Sequence, residues 1–147
     1  MKFSTRTVYG LKAILVLAFR YGEGSVAVSQ IAKRENISTA YLEQILNALK
    51  KKGVVKSVRG PQGGYVLAKK PAELGLDALF YVLDGRPFAD PEGPANADET
   101  AVANALFWRK FKTSLDEGLG GATLKDLVDE ARRAKKSRSH PLHTFHI

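Results

Sequence analysis

No cysteine occurs anywhere in the 147 residues. Composition therefore excludes disulfides, thiol redox switching and metal or iron–sulfur sites held by thiolates. Long apolar runs are missing too. The best candidate, Leu11 to Phe19, falls well short of the roughly 18 to 20 residues a membrane span needs, and Lys12 interrupts its start. No small-residue cleavage site follows an apolar segment near the N-terminus, so no signal peptide is expected and the expected location is the cytoplasm. Catalytic signatures are also absent. There is no G-x-S-x-G, no H-E-x-x-H and no cysteine nucleophile. Gly60-Pro61-Gln62-Gly63-Gly64 lacks the Lys-Ser/Thr of a phosphate loop. No enzymatic activity is expected.

Acidic residues are scarce in the first half. Residues 1–70 carry 13 Lys/Arg against 3 Asp/Glu, a net +10; residues 71–131 carry a net −7, and residues 132–147 add +5 with no acid. A polyanionic partner fits a basic half, because each neutralised phosphate releases counterion and adds affinity. The 44% of hydrophobic residues is enough to build one globular core.

The most informative stretch is 37–67. Leu42, Ile45, Leu46 and Leu49 recur at i, i+3, i+4 and i+7, which lays one apolar stripe along a helix. Ser38 is a suitable N-cap, with Ile37 and Leu42 placed to staple around it, and Gly53 ends the helix. Opposite the stripe lie Thr39, Ala40, Glu43, Gln44, Asn47 and Lys50, of sizes and polarities that can read base edges or touch phosphates in a major groove. The period then changes from helical to alternating. Val54, Val55 and Val58 pair naturally with Tyr65, Val66 and Leu67 across the Gly-rich turn. Lys56 and Arg59 make this a basic hairpin, and an arginine at its tip suits the negative potential of a narrow minor groove.

Upstream, residues 4–21 read as a deeply buried helix capped by Ser4, with Val8, Leu11, Leu15, Ala18 and Phe19 on its inward face and Ile14, Val16 and Leu17 widening it. Residues 28–35 make a short second helix with Ile31 and Ala32 inward. Asn36 closes it in a left-handed conformation, and Ile37 plugs the turn. Two helices joined by a short turn, the second with the polar face, form a helix-turn-helix; the hairpin after it makes the unit winged.

The strings YLEQIL and VRGPQGGYVLA, within a match over about residues 1–85, closely resemble the Rrf2 family of bacterial transcription regulators. The match continues weakly through ALFW at 105–108 and TLKDLV at 123–128. The resemblance implies a homodimer that places one recognition helix per subunit in the major groove of a palindromic operator. By match to the family motif, Ser38, Tyr41, Glu43 and Gln44 lie at the groove and Arg59 enters the minor groove. Glu43 can accept from a cytosine amino group and Gln44 can pair with adenine. Tyr41 reads equally well as a packing residue with its hydroxyl on a phosphate. Lys50, Lys51 and Lys52 either touch phosphates or complement the helix C-terminus.

Residues 74–84 form a further amphipathic helix with Leu76, Leu79, Phe80 and Leu83 inward. The loop at 86–98 is where cluster-binding members of the family supply cysteine ligands. Here it offers Asp90, Glu92 and Asp98, then Glu99, but no thiolate, so no iron–sulfur cluster, metal or other cofactor is expected. A long helix follows from Glu99 to about Leu119. Its Val102, Leu106, Trp108, Phe111 and Leu115 exceed what a single core needs, and a shared dimer seam would bury the surplus. Trp108 could alternatively line an effector pocket. Thr123 caps a last helix with Leu124, Leu127 and Val128 inward; the tail then turns basic and carries His140, His143 and His146, which Pro141 keeps from forming a continuous helix.

The expected fold is mainly α with a small β-hairpin wing: a winged helix-turn-helix plus a long dimerisation helix. The expected units are 1–85 for DNA binding, 86–98 as a loop, 99–134 for the dimerisation and C-terminal helices, and 135–147 as a tail without fixed structure. The expected function is a sequence-specific, homodimeric regulator of double-stranded DNA acting as a repressor; the sequence leaves open whether a small-molecule or protein effector exists and which it is. The alternative is a nonspecific architectural nucleic-acid binder, which would gain little from Thr39, Glu43 and Gln44.

Overall fold

The computed structural model describes residues 3–85 and 96–139. Helix α1 spans Thr5–Phe19 and is capped by Ser4, whose hydroxyl oxygen accepts from the Thr7 amide at 3.2 Å. Helix α2, Val28–Glu35, ends at Asn36 in the left-handed conformation with φ 54° and ψ 51°. Helix α3, Thr39–Lys51, starts at Ser38, whose side chain accepts from the Tyr41 amide at 3.3 Å. Ile37, 7% exposed, plugs the turn between α2 and α3. Both ends of α3 follow from local chemistry: Gly53 takes φ 76°, and the Val54 amide reaches back to the Leu49 carbonyl at 3.0 Å, the bond that typically closes a helix beyond a left-handed glycine.

Leu42, Ile45, Leu46 and Leu49 of α3 are all buried, as the spacing requires. Burial of each contributes on the order of 1.5–3 kcal/mol. Strands β1, Val55–Val58, and β2, Gly64–Leu67, pair antiparallel with Val55 opposite Leu67 and Val58 opposite Gly64. Val26, just before α2, bridges the other edge of β2 by exchanging two backbone bonds with Tyr65, at 3.0 and 2.9 Å. Only glycine fits at 64, since a Cβ there would sit 2.1 Å from the Val26 carbonyl oxygen.

Helix α4, Leu76–Asp84, packs on α1 and buries Leu79 and Leu83, while Leu76 and Phe80 are half-buried. Helix α5, Glu99–Leu119, is capped by Asp98, and helix α6, Leu124–Ser139, continues past the 134 boundary read from the sequence. The start of α6 is stitched to the start of α4 through the Leu124 amide and the Leu74 carbonyl, at 2.8 Å. Leu124 and Val128 are buried there, and Leu127 is half-buried.

The inward face of α1 differs from the sequence reading. Val8 and Leu11 are exposed, and the buried positions are Thr7, Gly10, Ala13, Ile14, Val16, Leu17 and Ala18. The reason is close helix crossing. A Cβ at Gly10 would come within 2.6 Å of the Leu83 side chain and 3.5 Å of Ile45, so α1, α3 and α4 meet where α1 carries no side chain. Thr7 can be buried because its hydroxyl reaches the Leu83 carbonyl at 3.4 Å. Asp90 and Glu92, and His140, His143 and His146, lie outside the described residues.

Candidate nucleic-acid interface

The packing of α3 leaves its other side to solvent. Thr39, Ala40, Glu43, Gln44, Asn47, Lys50 and Lys51 are exposed, and so is the cap residue Ser38. Tyr41 is half-buried, its ring meeting Tyr9 of α1 edge-on at 6.0 Å. The ring is therefore a packing element, and Ser38 spends its acceptor on the cap. The residues with unrestricted access are Thr39, Glu43, Gln44 and Asn47, three of which offer donors or acceptors at successive turns.

Beside this face stands the wing. Arg59 follows the last residue of β1 and is exposed at the turn, where the Gly63 amide closes onto the Gly60 carbonyl at 2.9 Å. The turn is also tethered from outside: the Ser25 hydroxyl donates to the Gln62 carbonyl at 2.6 Å. Lys56 on β1, Lys50 at the end of α3 and Lys69 just beyond β2 border one open trough together with Ser57. Lys69 escaped the sequence reading because it lies past the second strand and joins the others only through hairpin pairing.

Among the described residues no ion pair neutralises the charge on this side. The described ion pairs join Arg20 to Glu23, Arg34 to Glu35, Lys112 to Asp116 and Lys125 to Asp129, so none involves Lys50, Lys51, Lys56, Arg59 or Lys69. Lys52 is different. Its ammonium donates to the Val82 carbonyl at 2.7 Å, a tie to α4 that Lys50 and Lys51 lack among the described residues.

A family model described as "Iron-dependent Transcriptional regulator", Rrf2, matches residues 3–130. The chain belongs to the Rrf2 family. It is 36% identical over 129 residues to the HTH-type transcriptional regulator CymR of Bacillus subtilis, covering 87% of this chain and 90% of that protein. It is 34% identical over 133 residues to the regulator IscR of Serratia proteamaculans, covering 88% and 80%. Among solved structures, CymR of B. subtilis superposes with a TM-score of 0.71 at 35% identity, covering 88% of this chain and 98% of that one. The structure titled T. potens IscR gives 0.75 at 38% identity, covering 92% and 91%. Like these Rrf2 relatives, the chain is a helix-turn-helix transcriptional regulator that binds DNA, and the exposed face of α3 with the adjoining wing is its candidate contact surface.

An iron–sulfur cluster held by thiolates has no ligands in this chain. No cysteine is available at any of the 147 positions. Among the described residues no three His, Asp or Glu side chains are grouped to hold a metal ion.

The C-terminal half has a separate feature. Helix α5 has no buried residue along its 21 positions. Val102, Leu106, Phe107 and Trp108 are exposed, Phe107 by 60%, while Phe111 and Leu115 are half-buried. Phe107, Trp108 and Phe111 form an edge-to-face series with centroid spacings of 5.2 and 5.9 Å. Phe107 was absent from the candidates drawn from sequence, although it lies four residues before Phe111. Helix α5 meets α4 on one side, and among the described residues Val102, Leu106, Phe107 and Trp108 leave an apolar patch exposed on the rest of it.

Proposed function

We propose that this Rrf2 regulator acts as a homodimer on a palindromic operator and represses transcription there, without an iron–sulfur cluster. Helix α5 carries the dimer seam through Val102, Leu106, Phe107, Trp108, Phe111 and Leu115. A two-fold pair would set two recognition helices about one DNA turn, near 34 Å, apart. In each half-site Glu43 and Gln44 read base edges, aided by Thr39 and Asn47, with Ser38, Ala40 and Tyr41 along the groove. Arg59 enters the neighbouring minor groove, and Lys50, Lys56 and Lys69 hold phosphates. Where the operator overlaps the promoter, repression needs no further surface, because the bound dimer and the polymerase compete for the same DNA.

The observation that carries this reading is the coexistence of an exposed, largely uncharged polar face on α3 with an unpaired cationic rim. A purely electrostatic binder would have cations where Thr39, Glu43 and Gln44 stand. The test is a titration of wild-type protein against a DNA sequence that it selects from a random pool and against the same sequence scrambled, at two salt concentrations. Preference for the selected sequence, retained at the higher salt, supports base readout. Equal binding of both, lost together as salt rises, overturns it.

A further inference from the structure

Three successive residues in the last turn of α4 are each tied to a different helix. The Tyr81 hydroxyl donates to Asp116 of α5 at 2.6 Å. The Val82 carbonyl accepts from the ammonium of Lys52, the C-cap residue of α3, at 2.7 Å. The Leu83 carbonyl accepts from the Thr7 hydroxyl of α1 at 3.4 Å. The last carbonyls of a helix have no partner within it, so they are free to accept from neighbouring elements, and a cation there also meets the negative end of the helix dipole. Asp116 is held in addition by Lys112 at 2.6 Å, whose ammonium lies 5.8 Å from the Tyr81 ring centroid. The result is one continuous link, Asp116 to Tyr81 to Val82 to Lys52, from the long helix to the end of the recognition helix.

We propose that Lys52 is a positioning residue for operator recognition: through the Val82 carbonyl it fixes the angle of α3 against α4, and Tyr81 carries that angle to α5. This inference rests on the dimer reading above. With α5 as the two-fold seam, the angle decides how far apart and how tilted the two recognition helices stand. Lys52 therefore acts on the spacing of half-sites, not on any base or phosphate. Its neighbours Lys50 and Lys51 are exposed and unpaired among the described residues, so the three consecutive lysines divide between two tasks.

The test uses the full-length protein and a palindrome selected by the wild type from a random pool, together with its isolated half-site and versions with the central spacer lengthened or shortened by one base pair. Lys52→Met should weaken binding to the intact palindrome roughly 3- to 30-fold, flatten the dependence on spacer length and leave the half-site nearly unaffected. Tyr81→Phe, which cuts the other end of the link, should flatten the spacer dependence in the same way, and the double variant should be no worse than the stronger single one. An equal loss per half-site on palindrome and isolated half-site, with the slope of log affinity against log salt shrinking by about 0.9 on the half-site and about 1.8 on the palindrome, would make Lys52 a phosphate ligand and overturn the proposal. A dependence on spacer length as steep as the wild type's in both variants, whatever their melting temperatures, would also overturn it. Wild-type protein without preference for palindrome over half-site would instead remove the dimer reading, and this inference with it.

Discussion

Tyr41 in the recognition helix meets the ring of Tyr9 in α1 edge to face, with centroids 6.0 Å apart. Lys12 lies 5.9 Å from the centroid of the same Tyr9 ring. Edge-to-face pairs contribute about 0.5–1.5 kcal/mol beyond their buried area, so this contact anchors the first two turns of α3, where Thr39, Glu43 and Gln44 are presented. Tyr41→Phe is expected to keep both stability and operator affinity close to wild type. Tyr41→Ala should lower stability by about 1–3 kcal/mol and weaken operator binding. Thermal melts and anisotropy titrations of the two variants check this. A large affinity loss in Tyr41→Phe would show that the hydroxyl, not the ring, is what matters.

Arg59 and Glu43 should fail in different ways. Arg59→Ala is expected to cost roughly 1–3 kcal/mol of operator affinity with folding intact, since the residue is exposed and has no described ion-pair partner. Glu43→Ala should relax base preference while total affinity holds or rises, because a carboxylate near phosphates is repelled and is useful only for reading bases. Selection from a random pool with each variant separates the two effects. Weaker binding by Glu43→Ala at unaltered preference would contradict the groove assignment.

The exposed aromatic side of α5 predicts the oligomeric state. Phe107→Asp and Leu106→Asp should convert the protein from dimer to monomer in light scattering. Each introduces a charge at a position exposed in the single chain, so the monomer should remain folded by circular dichroism. Both variants retaining the wild-type mass would exclude this side of α5 as the seam.

The wing predicts a cost at one glycine. At Gly64 an added methyl would lie 2.1 Å from the Val26 carbonyl oxygen, and backbone cannot yield as a side chain can. Gly64→Ala should lose about 1–3 kcal/mol and weaken operator binding by displacing Arg59. Gly10→Ala meets the flexible end of Leu83 and should cost less. A smaller loss at Gly64 than at Gly10 would contradict the bridge between Val26 and Tyr65.

The contact between α4 and α5 predicts a pH window. Its hydrogen bond to Asp116 raises the Tyr81 hydroxyl from 10.0 to about 12, so its stabilisation is complete below about pH 10 and is lost as pH rises toward 12. Asp116 is shifted the other way: hydrogen bonds from Lys112 and then Tyr81 lower it below its ordinary 3.8, so its contribution is present above pH 3.8 and disappears as pH falls through the lowered value. Tyrosine titration by ultraviolet difference absorbance should show one of the five tyrosines ionising late, and Asp116→Ala should return it to the ordinary range. An unchanged curve in that variant would contradict the contact.

How far the sequence could be read varied with how local the cause was. The bounds of α2, the caps at Ser4, Ser38 and Asn36 and the break at Gly53 are set by side chains within a few residues, and each appears as the spacing requires. The buried face of α1 was misread because hydrophobicity favoured Val8 and Leu11, whereas the crossing with α3 and α4 selects the smallest residue, Gly10, and a threonine whose hydroxyl finds a carbonyl 76 positions away. Lys52 and Lys69 were illegible for the same reason. What each touches depends on elements distant in the chain. The solvent-exposed polar face of α3 was legible because an amphipathic helix declares both of its sides at once.

The measurement that bears most directly on the central claim is capture of fragments of the source genome by the purified protein at two salt concentrations, without added ligand, followed by sequencing of what is retained. A shared palindrome whose enrichment survives the higher salt is the predicted result. Uniform retention that vanishes as salt rises would contradict specific recognition by Glu43, Gln44 and Arg59 and leave only charge to account for DNA binding.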